Sequence, residues 1–178
     1  VQNLGPVRRV AAQSSTSHQT RTVGSGSRAG EAFPVEVPTH FGALLEFENS
    51  ASAQCIFSFQ SGLSRSGLLE ISGTLGTIAL PDPNGFDGDV SVFDVGSDEP
   101  DLLVTTSNFG RGAGVVDLAR SIRAGVPEQA SAEQAFHVLD TMVAITEAAA
   151  SGDYVAVSSS TPALPALPAE WNPREATL

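Results

Sequence analysis

The first 105 residues contain short apolar segments separated by glycine, proline and polar residues, a pattern typical of β-strands. These segments predict strands at residues 7–13, 19–23, 39–47, 52–60, 67–72, 77–80, 89–95 and 102–106. The connectors at residues 48–51 and 73–76 have lengths that join antiparallel neighbours. The pattern therefore predicts a large, mostly antiparallel sheet. Residues 24–38, which include Pro34 and Pro38, predict a long irregular loop with a functional or interface role.

Two segments after these strands have apolar residues at helical spacing. The first covers residues 114–124 and ends at Gly125, and the second covers residues 131–150, with Ser131 and Gln134 in capping-box positions. The second helix is expected to pack through its apolar residues Ala135, Val138, Leu139, Met142, Ile145 and Ala149. A last strand is predicted at residues 154–157. Helices that cover one face of an antiparallel sheet define an α+β fold.

The predicted elements separate one domain from a tail. Residues 1–157 contain every predicted element and form one α+β domain, a length that buries a substantial core. Residues 158–178 contain four prolines, so they predict a tail that is neither helix nor central strand. Residues 1–6 resemble the end of a helix followed by a Gly-Pro turn, which favours a fragment of a longer protein.

Charge and composition exclude several classes of partner. The formal net charge is −11, so binding to a phosphate backbone is not expected and nucleic acid is excluded as a partner. Cys55 is the only cysteine, so no intrachain disulfide can form and nothing indicates an oxidising compartment. No apolar run approaches the roughly 18 residues that a membrane span requires. We therefore expect a cytoplasmic protein without a membrane partner.

Two glycine clusters match dinucleotide-binding loops in their letters only. Residues 24–29 are followed by prolines and not by a helix. Residues 110–114 precede a helix, but that helix leads to another helix and not to the parallel strand that a Rossmann unit requires. The chain is therefore expected to bind no nicotinamide cofactor by itself.

Candidate polar chemistry is concentrated on the second helix. Glu133, His137 and Asp140 lie at i, i+4 and i+7, on one side of that helix. A metal site, a plain solvated face and a contact with another domain are the three interpretations. The solvated face is favoured, because one side of a helix does not surround a metal ion. His18 and His40 lie in other elements, so no Ser-His-Asp set can be assigned and the sequence contains no self-sufficient active site.

Residues 70–77 resemble the Glu-Ile-x-Gly-x-x-Gly-Thr hairpin of the Gfo/Idh/MocA oxidoreductases, through Glu70-Ile71-Ser72-Gly73-Thr74-Leu75-Gly76-Thr77. Residues 4–7 look like that family's exit from its catalytic helix. Residues 47–51 look like its Phe-x-Asn-Gly-Ala turn, with Ser50 where glycine is usual. Residues 111–122, followed by residues 130–131 and 137–139, resemble the helical pair of one branch of the family. The ordered set covers nearly the whole chain.

The resemblance implies the C-terminal, substrate-side and oligomerisation domain of an NAD(P)-dependent oxidoreductase that acts on a sugar, polyol or related hydroxy compound. In that family a Rossmann domain binds NAD or NADP, and here it would lie upstream of Val1, absent from this chain. The chain is therefore not expected to be active alone. Its expected partners are its own Rossmann domain, a small-molecule substrate, and further copies of itself. The copies would pair through the open face of the sheet, burying Ile56 and either Leu44 or Leu45.

The resemblance also places the substrate-binding residues, with none assigned to catalysis or to a metal. They are expected at the strand end before the Glu70 hairpin and at the start of the first helix: Gln60, Ser61, Ser64, Arg65 and Arg111. Arg65 stands where a Tyr is common in polyol dehydrogenases, which argues against a simple inositol-type substrate. An arginine suits a carboxylate or paired hydroxyls, so its expected role is binding. Two alternatives remain for the whole chain: a stand-alone β-sheet binding or assembly module without catalytic activity, and an independent enzyme of another kind.

Overall fold

The structure, a computed structural model, describes residues 1–59, 61, 69–103 and 110–162 of the 178-residue chain. The chain divides into two compact units. The first is made of Val1–Gly62 and Ala130–Pro165, and the second contains Leu63–Gln129. The elements in chain order are β1 (Val7–Ser15), β2 (Thr20–Thr22), β3 (Ala32–Pro34), β4 (His40–Phe47), β5 (Ser52–Ser58), β6 (Leu69–Ser72), β7 (Gly76–Leu80), β8 (Val90–Asp94), β9 (Asp101–Leu103), α1 (Ala113–Ala124), α2 (Ala132–Ser151) and β10 (Val155–Ala156). The predicted α+β class with antiparallel strands is confirmed.

The first unit contains a four-stranded sheet in the order β10-β1-β4-β5, in which every neighbour is antiparallel. Helix α2 packs on β1. Its core joins four residues of the sheet to three of the helix: Val7, Val10, Ala43, Phe47, Ala144, Ile145 and Ala148. One face of this sheet therefore carries the core, and the other is open.

A β-bulge explains how β1 supplies two core valines that are three residues apart. Val7 pairs with Phe47, whereas Arg9 pairs with Glu46, so Arg8 and Arg9 together face one residue of β4. In a regular strand residues 7 and 10 would point to opposite faces. The bulge turns both toward α2, where Val7 and Val10 are fully buried.

Helix α2 begins and ends as predicted but packs through a different face. The Ser131 hydroxyl accepts a hydrogen bond from the Gln134 amide, and Gly152 ends the helix in the left-handed conformation. The buried residues are His137, Thr141, Ala144, Ile145 and Ala148. Of the predicted packing face only Ile145 is buried, whereas Val138, Leu139 and Met142 are exposed. The prediction of a solvated His137 is therefore wrong, because hydrogen bonds satisfy its ring nitrogens in the interior.

The predicted irregular loop at residues 24–38 contains a strand that the sequence pattern missed. Strand β3 pairs with β2 as a two-stranded antiparallel ribbon, with Thr20 opposite Pro34. A proline is tolerated at this place because an edge strand has no second neighbour that requires its missing N–H. The Arg21 guanidinium donates to the Phe59 carbonyl at 3.0 Å and lies over the Phe59 ring, which attaches the ribbon to the end of β5.

The second unit contains the antiparallel sheet β6-β7-β8-β9 and helix α1. The hairpin of β6 and β7 pairs Ser72 with Thr77, whose hydroxyls lie 3.0 Å apart. At Gly76 the Phe93 carbonyl of β8 approaches so closely that a Cβ atom would overlap the carbonyl oxygen. Glycine is therefore required by backbone packing at this position and not only by the turn.

Candidate functional site

The structure describes two of the five predicted substrate-binding residues. Gln60, Ser64 and Arg65 lie outside the described residues. Ser61 is exposed and follows the end of β5, in the first unit, while Arg111 is exposed in the turn before α1, in the second unit. The assignment of these five residues to substrate binding stays a prediction.

The first sheet leaves one face open, and pairing across β1, β4 and β5 shows which residues lie on it. Two rows of side chains cross it, with Ala11, Leu44 and Gln54 in one and Gln13, Gly42 and Ile56 in the other, and we use the term open face for these six residues. Ile56 is 77% exposed and Leu44 is 48% exposed, so apolar side chains face outward here. Leu45, by contrast, packs against the core, so of the two leucines only Leu44 lies on the open face, and its burial between copies stays a prediction.

Gly42 makes the middle of the open face concave. It lies between Gln13 on β1 and Ile56 on β5, and no other atom is within 4 Å of the place a Cβ would occupy. The depression around it has a volume of about 690 Å³ and is lined by both rows together with Ser15 and His40. Glycine inside a strand often marks a close approach of another group, so this surface is suited to receive one.

An ion-pair cluster closes one end of the open face. Because of the bulge, the side chains of Arg8 and Arg9 both reach Glu46, with nitrogen–oxygen distances of 2.9 and 2.6 Å. The Arg9 guanidinium also lies 4.8 Å from the centre of the Tyr154 ring. Both carboxylate oxygens of Glu46 are thus paired, and the cluster joins β1 and β4 to Tyr154, which directly precedes β10.

The predicted stripe on α2 is divided between solvent and interior. Glu133 is exposed, whereas His137 is fully buried, accepts a hydrogen bond from the Val7 amide at Nε2 (2.9 Å) and has Nδ1 3.0 Å from the Ser159 hydroxyl. Asp140 holds the segment after β10, because its Oδ2 accepts hydrogen bonds from the Ser158 amide, the Ser158 hydroxyl and the Ser159 amide at 2.8–3.1 Å. His137 and Asp140 therefore bind the chain's own residues 158–159.

Hydrogen bonds from Ser159 and then Ser158 lower the pKa of Asp140. Since the folded-state pKa lies below the unfolded one, this carboxylate stabilises the fold above its ordinary pKa, and the contribution is lost as pH falls through the folded pKa. Asp140→Asn is therefore expected to lower the free energy of unfolding at pH 7, with the difference from the unsubstituted chain shrinking steadily below about pH 4. Urea unfolding at a series of pH values measures this.

Asp153→Asn supplies the control for that experiment, because Asp153 follows α2 and its side chain is exposed. It should change the free energy of unfolding by less than about 0.5 kcal/mol at every pH. A difference between Asp140→Asn and the unsubstituted chain that stays constant from pH 7 to pH 3 would contradict the role given to the ionised carboxylate.

The described residues do not form a dinucleotide cradle. Gly24 and Gly26 lie between the paired strands β2 and β3, so no helix N-terminus follows them. Gly112 caps α1 without a side-chain hydrogen bond, and the next element in the chain is α2. A nicotinamide dinucleotide requires a strand, a glycine loop and a helix in sequence, which neither cluster provides.

Within the part of the chain that the structure describes, no three His, Cys, Asp or Glu side chains gather as ligands for a metal ion. Over the described ranges, no helix has both the length and the apolar character needed to cross a bilayer.

The fold is that of a domain in NAD-binding oxidoreductases. One similar structure is an NAD binding oxidoreductase from Klebsiella pneumoniae, with 19% identity, a TM-score of 0.69, and coverage of 87% of this chain and 46% of that chain. Levoglucosan dehydrogenase in complex with NADH and L-sorbose has 21% identity and a TM-score of 0.70, and the match covers 86% of this chain and 46% of that chain. Aldose-aldose oxidoreductase from Caulobacter crescentus in complex with glycerol has 20% identity and a TM-score of 0.64, with coverage of 85% of this chain and 42% of that chain. No protein-family model and no curated protein matches the sequence.

These similarities confirm, at the level of the fold, the resemblance found in the sequence. The chain spans less than half the length of the similar structures. Gly42 and Ser159 were missed by sequence reasoning. A glycine within an apolar strand was an available signal for Gly42, whereas Ser159 belongs to a run of hydroxyl residues that no sequence pattern assigns to His137.

Proposed function

We propose that this chain is the substrate-side and oligomerisation domain of an NAD-dependent oxidoreductase that acts on a sugar, polyol or related hydroxy compound. Residues 1–157 would form that domain and residues 158–178 its C-terminal tail, with the cofactor bound by a separate N-terminal Rossmann domain. The supporting observation is the fold shared with NAD-binding oxidoreductases, two of which are named for levoglucosan and aldose. The lone Cys55 is consistent with a place in the cytoplasm.

The open face supports the oligomerisation part of the proposal. Antiparallel sheets bury one face in the core, and an apolar second face requires either water-compatible side chains or a partner. Here Ile56 and Leu44 are exposed beside the depression at Gly42, so a protruding and a concave element lie on the same face. A twofold contact needs such a self-complementary surface, because the same patch is used by both copies.

The activity is tested on the protein encoded by the complete parent gene. Purified parent protein should reduce NAD⁺ or NADP⁺ when a sugar or polyol is added, followed by absorbance of the reduced cofactor across a panel of such compounds. The 178-residue chain alone should not do so. Absence of turnover with every sugar and polyol, with either cofactor, would favour the alternative of a non-catalytic binding or assembly module.

Arg65→Ala in that parent protein is expected to raise KM for the true substrate by about tenfold or more, with a smaller effect on kcat. The reason is that an arginine stays protonated at any working pH, so it binds substrate and does not accept a proton. A lost charge-assisted hydrogen bond has about this magnitude. Steady-state kinetics measures it. Arg28→Ala, which removes an exposed arginine paired with Glu31, is the control, and an unchanged KM in Arg65→Ala would remove Arg65 from the site.

A further inference from the structure

The contacts of His137 determine the direction of its hydrogen bonds. A backbone amide can only donate, so Nε2, which receives the Val7 N–H at 2.9 Å, is the unprotonated nitrogen. The proton of the neutral ring is then on Nδ1, which donates to the Ser159 hydroxyl oxygen at 3.0 Å.

Asp140 holds Ser159 beside His137. Its Oδ2 atom accepts hydrogen bonds from the Ser159 amide at 2.8 Å and from the amide and hydroxyl of Ser158. The donors and acceptors thus run in one direction, from the Val7 amide through His137 and Ser159 to Asp140.

We propose that this chain of hydrogen bonds is a latch that couples residues 158–161, named here the C-terminal strap, to the first residue of β1. The strap is anchored further by the Ser160 hydroxyl, which donates to Glu48 at 3.0 Å, and by Thr161, which is buried. Ser159 accepts the Nδ1 proton of the His137 tautomer that the Val7 amide requires. Release of the strap therefore removes one of the two hydrogen bonds that hold the imidazole, and the acceptor of the Val7 amide is no longer fixed in position.

The latch acts on a buried position at the start of β1. Val7 lies at the bulged start of β1 and is fully buried, so its amide has no water to replace a lost acceptor. Any event that moves the strap, whether a ligand or a segment attached to it, is transmitted to the position where the chain enters the sheet. Two segments separated by more than 150 positions in sequence are thereby joined through one imidazole.

Amide hydrogen exchange and ¹⁵N NMR of the full 178-residue chain test the latch. In the unsubstituted chain the His137 ring should show a protonated Nδ1 and an unprotonated Nε2 at pH 7.5. Ser159→Ala should increase the exchange rate of the Val7 amide by about tenfold, because the imidazole that accepts from this amide loses its second hydrogen bond. Ser160→Ala, which removes a strap contact outside the chain of hydrogen bonds, should change Val7 exchange by less than about twofold.

Any of three other outcomes would overturn the proposal. A protonated Nε2 in the unsubstituted chain would exclude the inferred direction of the His137 hydrogen bonds. This measurement needs no variant, so it tests the proposal even if Ser159→Ala does not fold. Faster exchange in residues 158–161 of Ser159→Ala, with Val7 unaffected, would show that the strap is not coupled to β1. Equal effects of Ser159→Ala and Ser160→Ala on Val7 would indicate general fraying and no specific relay.

Discussion

Gly76→Ala is expected to destabilise the second sheet by about 3 kcal/mol or more, near the upper end of the range for single substitutions. A Cβ at this position would overlap the carbonyl oxygen of Phe93 and lie 3.1 Å from its carbonyl carbon. Both are backbone atoms of β8, which pairs directly with β7, so no side chain can rotate away. The strands must separate locally, which breaks the hydrogen bonds between them.

Gly73→Ala is the matched control, because it makes the same chemical change three residues earlier, where no atom lies within 4 Å of a new Cβ. It should change stability by less than about 0.5 kcal/mol. Amide exchange in β7 and β8, read alongside urea unfolding, separates loss of this sheet from loss of the first unit. Equal stability of the two variants would refute the required close approach at Gly76.

Gly42→Trp is expected to raise the dissociation constant of the proposed homo-oligomer by at least roughly a hundredfold. On its own chain the indole meets open space, and an aromatic residue suits a strand, so the fold should be retained. In a twofold contact each copy contributes the same patch, so the indole enters the interface twice. Overpacking costs about 1–3 kcal/mol at each site, and the two sites together account for the expected loss.

Analytical ultracentrifugation over a range of concentrations measures this effect. Gly73→Trp adds the same side chain at another open position, in the connector between β6 and β7, and should leave the association unchanged. Circular dichroism identical to that of the unsubstituted chain would verify that Gly42→Trp is folded. If the unsubstituted chain is monomeric at the highest concentrations, or if Gly42→Trp associates as strongly, the open face is not the interface.

The order and type of the elements followed from local physical chemistry. Alternation of side chains and turn residues placed the pairs β4–β5 and β6–β7, with their connectors at residues 48–51 and 73–76. Ser131, Gly125 and Gly152 marked helix ends because they act within one turn of the backbone. Ser50 adopts a positive φ of 70°, which agrees with its place where the resembling family has glycine.

The side of α2 that faces the sheet could not be predicted from local sequence patterns. Apolar spacing favoured Val138 and Met142, yet Met142 is 58% exposed and His137 is buried. A histidine enters the interior only when both ring nitrogens find partners, and those partners, Val7 and Ser159, are distant in sequence. The spacing of apolar residues reports the hydrophobicity of one segment. It carries no information about hydrogen-bond partners that a distant segment supplies to a polar side chain.

The sequence by itself determined the α+β class, the antiparallel hairpins, the helix boundaries and the resemblance to the Gfo/Idh/MocA oxidoreductases, because each depends on residues close together in the chain. Only the tertiary structure decided the bulge at Arg8 and Arg9, the open face centred on Gly42 and the junction at His137. Each of these depends on pairing register or on contacts between distant segments. A shift of one residue in β1 exchanges its two faces, and no local pattern records that shift.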